Sequence, residues 1–340
     1  RIGEMSMEAV LLRSKNVSAT EFYYNIIQQA LKKRYDLIYD GFEESELPAK
    51  KDILIVCGSC TQMLRIWKKG YRKIVTWYQG TLPEESYMRN HSWLRKKVLS
   101  CIEKFALEHS VGNIVVSEAM IDHYENTYKL KLNNTYVMPC YNVEFQKECI
   151  ISKNPESRVF VYAGGLSKWQ CIDQMLRLYK RIEDRVEGRT KLLFFTPEIE
   201  KAKQLVADNG ILNCEVSCVH YSELAEKMKQ AKFGFALRED TVVNRVATPT
   251  KLANYVASGI IPVYSECIHD FYKQSSSNPY QIAIHDVNNI TDDEVDRIIK
   301  LLDKTIDGEI LQASMHTYFD KYYNTEWHIN NLAEMLGKQI

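Results

Sequence analysis

The sequence predicts an α/β protein built from two doubly wound domains in tandem, each with a parallel sheet covered by helices on both faces. Short apolar segments alternate with amphipathic segments of helical period along nearly the whole chain. The apolar segments are almost continuously hydrophobic, as strands buried on both faces are. A polar stretch at 144–157 interrupts this alternation, and 340 residues are enough for two domains of ordinary size.

These patterns place the elements in order along the chain. Strands are predicted at 9–13, 37–40, 53–57, 73–77, 113–117 and 135–138, with helices at 19–33, 61–69, 84–108 and 119–128. After the polar stretch, strands are predicted at 159–163, 191–196, 215–219, 234–237, 261–264 and 281–285, with helices at 170–186, 199–209, 222–229, 250–258, 292–305 and 327–336. We therefore place one Rossmann-like domain at 1–150 and a second at 151–324. Such sheets bind ligands at the carboxyl ends of their strands, so the expected site is the cleft between the domains.

The charge balance argues against nucleic acid as a partner. Lys and Arg total 44, as do Asp and Glu, so the net charge is zero and no broad basic field neutralises phosphates. No apolar run approaches the roughly 20 residues that a membrane-spanning helix needs. The nine cysteines lack the spacing of a small disulfide-bonded domain, which favours a reducing, cytoplasmic setting.

Cys57 and Cys60 form a single C-x-x-C motif after an apolar segment. A zinc site needs a second ligand pair at similar spacing, and none follows. A thioredoxin-like site needs the motif to open a helix after a strand, and half of that context is present because 53–57 is a predicted strand. We favour a structural role for both thiols, and we predict no metal-ligating set.

The sequence GGLSKWQ at 164–170 follows a predicted strand and opens a predicted helix. Glycines let a backbone approach a ligand closely, and the free N–H groups at a helix start attract an anion. Lys168 adds a positive charge there. The spacing matches neither the dinucleotide fingerprint nor the P-loop, so the segment is either a phosphate-binding turn or a plain tight turn.

A second motif, TPTKLANYVASG, lies at 248–259. Thr248 is expected to be the N-cap of a helix, because a hydroxyl can accept from the first free N–H groups. Pro249 is expected in the first turn, where its fixed backbone angle suits a helix. The glycine that closes the motif predicts the end of the helix.

Cationic residues surround this predicted helix start. Arg238 follows the strand at 234–237, Arg245 lies in the polar loop after it, and Lys251 lies in the first turn of the helix. We expect the three to converge on an anion at the helix N-terminus, where they suit a diphosphate and let it depart without a metal. The alternative is a capped surface helix with solvated charges.

These two segments together resemble the donor-binding half of glycosyltransferase family 4, whose members are retaining, nucleotide-sugar-dependent enzymes with the GT-B fold. Looser matches are VVSEAM at 115–120, YVMPCYNV at 136–143 and the acceptor-side loop YQGTLPEE at 78–85. The resemblance covers nearly the whole chain and is most specific in the second domain. It implies that the first domain binds the acceptor, that the second binds the donor, and that a C-terminal helix at about 325–340 packs back on the first.

The resemblance also implies roles for single residues. Arg238 and Lys251 are the predicted catalytic residues, because they would stabilise the departing diphosphate. The predicted donor-binding residues are Gly164, Gly165, Lys168, Tyr221, Arg245, Thr248, Thr250 and Asn254. The predicted acceptor-side residues are Trp77, Tyr78, Gln79 and Gly80.

The chain departs from the family pattern at several positions. Asn254 stands where the family has a Glu that holds the donor ribose, and it can hydrogen-bond a hydroxyl without carrying charge. Residues 13–18 replace the glycine-rich loop usual after the first strand. The first-domain histidine expected near the reacting sugar is not found around Trp77 and Tyr78. His91 is the fallback, and we favour a solvated helix position for it.

Two clusters in the predicted first domain mix basic with aromatic residues, at 65–73 and 89–97. Basic amphipathic helices with Trp lie on anionic lipid, whereas the same mixture also occurs in nucleic-acid grooves or simply faces solvent. The neutral net charge favours a solvated face, and a lipid-linked acceptor would favour a membrane. Peripheral contact with an anionic membrane is therefore a hypothesis, and no nucleic-acid partner is predicted.

The predicted function is that of a retaining, metal-independent glycosyltransferase of the hexosyltransferase type, cytoplasmic or at the cytoplasmic face of a membrane. It would move a sugar from a nucleotide diphosphate sugar, with UDP the expected base, to a glycan or lipid-linked acceptor in polysaccharide, capsule or glycoconjugate biosynthesis. No cofactor is expected. Two alternatives stay open: a nucleotide-sugar 2-epimerase, whose acid/base set we do not find, and a non-catalytic binding subunit or scaffold, which Asn254 and the missing histidine favour.

Overall fold

The computed structural model describes residues 7–13, 20–41, 44 and 46–338. The chain divides into two compact units, the first made of 1–140 with 323–340 and the second of 141–322. Each unit holds one six-stranded sheet in which every neighbouring pair of strands is parallel. Helices connect the strands, so the predicted doubly wound α/β class is confirmed.

The first unit has the strand order β2-β1-β3-β4-β5-β6. Its elements are β1 (Glu8–Leu12), α1 (Glu21–Lys32), β2 (Leu37–Asp40), β3 (Leu54–Cys57), α2 (Cys60–Lys68), β4 (Ile74–Trp77), α3 (Leu82–Asn90), α4 (Trp93–His109), β5 (Gly112–Val115), α5 (Glu118–Tyr128) and β6 (Thr135–Val137). The predicted strands of this half are confirmed to within about two residues at each end, as expected for runs whose apolar character marks their burial.

The second unit has the strand order β12-β11-β10-β7-β8-β9. Its elements are α6 (Lys147–Ile151), β7 (Val159–Ala163), a 3-10 turn (Lys168–Gln170), α7 (Ile172–Arg185), β8 (Lys191–Phe195), α8 (Ile199–Asp208), β9 (Cys214–Ser217), α9 (Tyr221–Met228), β10 (Phe233–Ala236), α10 (Val242–Val246), α11 (Thr250–Ala257), β11 (Ile261–Ser265), α12 (His269–Ser275), β12 (Ile282–Ile284), α13 (Asp292–Leu302) and α14 (Gly308–Tyr323). The strand order reverses between β7 and β10, which makes the carboxyl ends of these two strands the switch point of the sheet.

Packing against one face of this sheet positions helix α11. Gly234 of β10 leaves room for the ring of Tyr255, which is fully buried and donates from its hydroxyl to the Phe235 carbonyl at 3.1 Å. A Cβ on Gly234 would lie 2.7 Å from ring atoms of Tyr255. On the other side of the backbone, Phe160 stacks on Phe233 with ring centroids 4.9 Å apart. The position of α11 on the sheet therefore depends on glycine at 234, because any side chain there would displace the Tyr255 ring.

One predicted helix is in fact two. The segment predicted as a single helix at 84–108 breaks between α3 and α4, so that prediction is wrong. His91 adopts a left-handed φ of 51°, and the Ser92 hydroxyl accepts from the Arg95 N–H at 3.4 Å, which starts a new helix. A serine cap after a left-handed residue is a local signal that the apolar period alone does not reveal.

Other helices were not predicted. The polar stretch at 144–157 contains α6, and the polar loop before 248 contains α10, so neither segment is purely a linker. Helices α12 and α14 also form where no helix was predicted. Helix α14 begins at Gly308, where a Cβ would lie 2.9 Å from the Ile151 carbonyl oxygen. The close approach of the Ile151 backbone requires a glycine at 308, although glycine has a low helix propensity.

The last helix, α15 (Thr325–Gly337), packs on α1 within the first unit. Arg34 Nε donates to the Ala333 carbonyl at 3.1 Å, and the Tyr35 hydroxyl donates to the Leu336 carbonyl at 3.3 Å. Tyr136 and His328 join β6 to the same helix through a 2.7 Å hydrogen bond. Across the described ranges, no helix combines the length and the apolar character needed to cross a membrane.

We expect Gly234→Ala to destabilise the protein, because the new methyl group must displace the buried Tyr255 ring. Overpacking of this kind costs about 1–3 kcal/mol, and the unfolding temperature falls by about 2–4 °C for each kcal/mol. Thermal unfolding followed by circular dichroism measures the change. Gly165→Ala is the control, since the nearest atom to its new Cβ is 3.6 Å away. Equal unfolding temperatures for both variants would contradict the packing described here.

Candidate functional site

The two motifs singled out in the sequence meet at the switch point of the second sheet. Strands β7 and β10 are direct neighbours, with Phe233 opposite Phe160. Gly164 immediately follows β7, and Arg238 lies just beyond the end of β10. Helix α11 begins a few residues later with Thr250. Ligands of open α/β sheets bind at such points, because the connections leave the strand ends in opposite directions.

A single amide oxygen joins the cationic residues of this site. Gln170 Oε1 accepts from Arg238 Nη1 at 2.6 Å and from Lys251 Nζ at 2.9 Å. Lys251 Nζ also lies 4.2 Å from the centroid of the Tyr162 ring, a cation–π arrangement. We call Tyr162, Gly164, Gln170, Arg238 and Lys251 the switch-point cluster.

The two cations of the cluster have no acidic partner. Within the part of the chain that the structure describes, no carboxylate forms an ion pair with Arg238 or Lys251. Arg238 is only 6% exposed. Burial lowers the pKa of Arg238, and burial together with the Arg238 charge lowers the pKa of Lys251 well below its usual value. An anion between them would remove both penalties.

Gly164 makes room for the lysine. Its φ is +153°, and a Cβ would lie 3.2 Å from Lys251 Nζ and 3.1 Å from the Tyr162 hydroxyl oxygen. That hydroxyl donates to the Gly165 carbonyl at 2.6 Å, which fixes the turn after β7. The glycine that sequence reasoning assigned to phosphate contact therefore also has a packing role toward Lys251.

The other side of the glycine turn faces a carboxylate. Glu198 Oε2 accepts from the Leu166 N–H at 2.7 Å. The same oxygen would lie 3.6 Å from a Cβ on Gly165. One N–H of the predicted phosphate-binding turn is thus already used, and a negative ligand there would meet a negative side chain. The favourable place for an anion is the side of Lys251 and Arg238.

Helix α11 begins without a side-chain cap. Pro249 occupies the N-cap position, so the prediction that Thr248 caps the helix is wrong. Thr250 is the first helical residue, and Pro249 has no side-chain group that could accept from the free N–H groups of this first turn. Lys251 and the half-buried Asn254 are three residues apart and therefore share a face of the helix.

Two predicted donor-binding residues, Lys168 and Arg245, are not joined to the switch-point cluster by any contact between described residues. Arg245 is exposed and forms a bidentate ion pair with Asp240 at 2.5 and 2.9 Å. Lys168 is exposed on the 3-10 turn. Tyr221 begins α9, but its side chain lies outside what the structure describes. Their roles remain predictions.

Sequence reasoning missed Gln170. The residue closes the GGLSKWQ motif, but no role follows from its type, since a glutamine is usually a solvated polar residue. The sequence offered only its position at the end of the glycine turn. The hydrogen bond to Lys251 joins residues that are 81 positions apart. Only the folded chain shows that its carbonyl lies between two cations.

The predicted acceptor-side residues follow β4 in the first unit. Trp77 and Tyr78 are buried at 1% and 2% exposure, whereas Gln79 is exposed. The Gly80 carbonyl accepts from the Tyr124 hydroxyl at 3.3 Å, which ties the loop to α5. Gln79 is thus the side chain of this set that a ligand in solvent can reach directly.

A buried carboxyl anchors the same loop. Glu103 of α4 is fully buried, accepts from the Leu82 N–H at 3.1 Å and accepts from the Tyr128 hydroxyl at 2.7 Å. The carboxyl therefore serves as the cap of α3. Burial raises its pKa to about 8, with Glu84 and Glu85 adding to the rise. Sequence reasoning did not single out this residue.

The remaining candidate groups of the first unit have structural surroundings. Cys57 ends β3 and Cys60 begins α2, and burial raises the pKa of each thiol to about 12, which opposes redox reactivity. All nine cysteines are free.

The loop after the first strand is described only at its start. Arg13 pairs with Asp40 at 2.5 and 2.7 Å, while 14–18 lie outside the described residues. No group of three metal-ligating side chains occurs in the ranges described above.

Comparison with solved structures identifies the fold. Sucrose-phosphate synthase from Thermosynechococcus elongatus is similar with a TM-score of 0.72 at 10% identity, over 98% of this chain and 98% of that one. WaaG, a glycosyltransferase involved in lipopolysaccharide biosynthesis, has a TM-score of 0.64 at 11% identity, over 96% of this chain and 99% of its own.

A mutant of S. aureus TarM in complex with Fondaparinux, alpha-GlcNAc-glycerol and UDP has a TM-score of 0.63 at 11% identity, over 86% of this chain. This chain spans 57% of the length of TarM. The protein has the GT-B fold. At these identities the similarity shows the fold alone, and the predicted fold class is confirmed. No model of a known protein family and no curated protein matches the sequence.

We expect Glu103→Gln to become more stable relative to the unmodified protein as the pH rises from about 4.5 to about 8. In this window the folded protein holds a proton that the unfolded chain releases, so the unmodified protein loses about 1.4 kcal/mol for each pH unit. Glutamine does not titrate, so the Glu103→Gln protein does not lose stability in this way as the pH rises. Urea unfolding at a series of pH values measures it.

Glu108→Gln on the same helix is the matched control, because Glu108 is an exposed carboxyl 3.7 Å from Lys104. The comparison separates the effect of a buried carboxyl from that of an exposed carboxyl on the same helix. A flat difference for Glu103→Gln would show that the carboxyl titrates normally, and the cap of α3 would then be an ordinary carboxylate.

Proposed function

We propose that the protein is a retaining glycosyltransferase of family 4 that transfers a hexose from a nucleotide diphosphate sugar, with UDP as the base. The observation that carries this proposal is the pair Arg238 and Lys251 at the switch point of the second sheet, two desolvated cations that have no carboxylate partner among the residues the structure describes. A diphosphate supplies the missing negative charge. The GT-B fold and the glycine turn after β7 agree with this assignment.

The proposed chemistry is leaving-group stabilisation. As the bond between the sugar and the diphosphate breaks, negative charge grows on the phosphate oxygens. Arg238 and Lys251 stabilise that charge, and the uncapped N-terminus of α11 adds backbone N–H groups. The cations do what a divalent metal does in other transferases, so we propose that the reaction is metal-independent and uses no cofactor.

The remaining predicted residues complete the proposed donor site. Asn254 is half-buried on the same face of α11 as Lys251, where its amide suits a ribose hydroxyl. The acceptor is proposed to be a glycan or a lipid-linked sugar that contacts the loop around Gln79 in the first unit. The proposed setting is polysaccharide, capsule or glycoconjugate biosynthesis on the cytoplasmic side of a membrane.

A binding subunit that keeps the fold is the second candidate, and Asn254 favours it because a neutral amide replaces the family's carboxylate. Slow release of free sugar from a nucleotide sugar favours the enzyme. Binding without any turnover, even with an acceptor extract from cells, favours the scaffold. An epimerase would instead exchange a sugar proton with solvent, which deuterium incorporation measures.

We expect Lys251→Ala and Arg238→Ala each to lower turnover by about a hundredfold or more, the effect of removing one preorganised group that stabilises developing charge. A thermal-shift panel of UDP, GDP, ADP and pyrophosphate identifies the ligand first. A ligand at a hundredfold its dissociation constant stabilises the protein by about 2.7 kcal/mol. That shift should shrink in both variants.

Lys203→Ala is the matched control, since Lys203 is 56% exposed and pairs, among the described residues, with Glu200 alone on the surface of α8. It should keep the ligand-induced shift and the turnover. Circular dichroism establishes that each variant is folded. Unchanged turnover in a folded Lys251→Ala protein would remove the proposed site.

A surface of the first unit supports the proposed membrane contact. Trp93, Leu94 and Val98 of α4 are 59%, 71% and 53% exposed. Lys97 Nζ lies 3.8 Å from the centroid of the Trp93 ring, and Arg95 is also exposed. We call these five residues the α4 patch. Apolar side chains between cations fit the headgroup region of an anionic bilayer.

We propose that the α4 patch binds anionic lipid. The protein should float with vesicles that contain phosphatidylserine and remain unbound with vesicles of phosphatidylcholine alone. Trp93→Ser with Leu94→Ser should abolish flotation, because the apolar anchor is lost, and raised salt should weaken it. The measurement is sucrose-gradient flotation at low and high ionic strength.

Leu212→Ser is the control, because Leu212 is an 81% exposed apolar side chain that is not part of the α4 patch and belongs to the second unit. It should float like the unmodified protein. Equal binding to neutral vesicles, or flotation of the Trp93/Leu94 variant, would reject the α4 patch as the lipid contact.

A further inference from the structure

The carbonyl of Gln170 occupies the place between the two cations that a ligand oxygen would take. It accepts one hydrogen bond from Arg238 Nη1 and one from Lys251 Nζ. We propose that Gln170 is an internal stand-in for a phosphoryl oxygen, which holds the two cations in position in the free protein and which a diphosphate displaces. This inference rests on the proposed function and adds an affinity-determining residue to it.

The distances suit this role. The two contacts measure 2.6 and 2.9 Å, close to the roughly 2.7–2.9 Å that a cation keeps to a charged oxygen. The nitrogens of the two cations are therefore already spaced to share one oxygen atom. A phosphoryl oxygen entering at this point needs no rearrangement of Arg238 or Lys251.

The stand-in is neutral, and that makes it displaceable. An amide carbonyl carries only a partial charge, so its two hydrogen bonds are weaker than those of a phosphate oxygen with the same donors. A carboxylate at this position would form a lasting ion pair with both cations and would exclude the ligand. The residue type at 170 thus allows the cations to be held without being neutralised.

The side chain of Gln170 can rotate away from the two cations without breaking any further hydrogen bond between described residues. Its amide nitrogen forms no hydrogen bond with the residues described in the structure, and its backbone N–H donates to the Ser167 carbonyl at 2.8 Å. The backbone of the 3-10 turn therefore stays in place while the side chain rotates. Gln170 is half-buried, so solvent lies next to it.

Calorimetric titration of the full chain with inorganic pyrophosphate tests the proposal, because this probe does not depend on the base or the sugar. Gln170→Ala should bind pyrophosphate about thirtyfold more tightly than the unmodified protein, the factor that corresponds to two hydrogen bonds of ordinary net strength no longer competing. Gln170→Glu should bind at least about a hundredfold more weakly while its unfolding temperature rises, since a new ion pair forms in the free protein.

Gln204→Ala and Gln204→Glu are matched controls on the exposed face of α8, where the Gln204 amide donates to Asp208 Oδ1 at 2.7 Å. Both should bind pyrophosphate like the unmodified protein. Weaker binding by a folded Gln170→Ala variant would overturn the proposal, because Gln170 would then be a ligand contact or a structural support. Unaltered binding by Gln170→Glu would overturn it as well.

A failure of the proposed diphosphate site can be distinguished from a failure of the role assigned to Gln170. If the unmodified protein does not bind pyrophosphate or any nucleoside diphosphate, the site itself is absent, whatever residue stands at 170. If pyrophosphate binds and Lys251→Ala weakens it, the site stands. The response of the two Gln170 variants then decides the role of this residue alone.

Discussion

The second unit holds two like charges together with a neutral group between them. Two unit charges about 5 Å apart repel by about 3 kcal/mol at an effective dielectric of about 20. In the free protein the Gln170 carbonyl accepts from both cations and offsets part of the repulsion. Burial lowers the pKa of Arg238, and burial followed by the Arg238 charge lowers the pKa of Lys251.

Ordinary packing creates this arrangement. Gly234 admits the Tyr255 ring, which holds α11 against β10, and α11 carries Lys251 to the end of β7. The reversal of strand order brings that end next to Arg238. The first unit contains a buried group of the opposite charge type. The Glu103 carboxyl accepts from an N–H and from a hydroxyl at the loop after β4, and no cation pairs with it among the described residues.

Helix boundaries show where local patterns stop being informative. The apolar period runs through His91 without a break, yet a left-handed residue and a serine cap divide α3 from α4. Helix α14 begins at a glycine because Ile151 leaves no space for a side chain. Thr248 has the right chemistry for a cap, but the backbone starts the helix two residues later, with Pro249 in the cap position. In each case a steric or backbone constraint overrides propensity.

The strands, their parallel arrangement and the glycine turn at the switch point could be predicted from the sequence, because apolar character and glycine act over a few neighbouring residues. The partners of the charged groups could not. Arg245 meets Asp240 five residues away, whereas Arg238 and Lys251 meet an amide that is 68 and 81 residues distant along the chain. Which oxygen accepts from which nitrogen depends on how the sheet is wound and which side chains fill its surface. That information exists only in the folded protein.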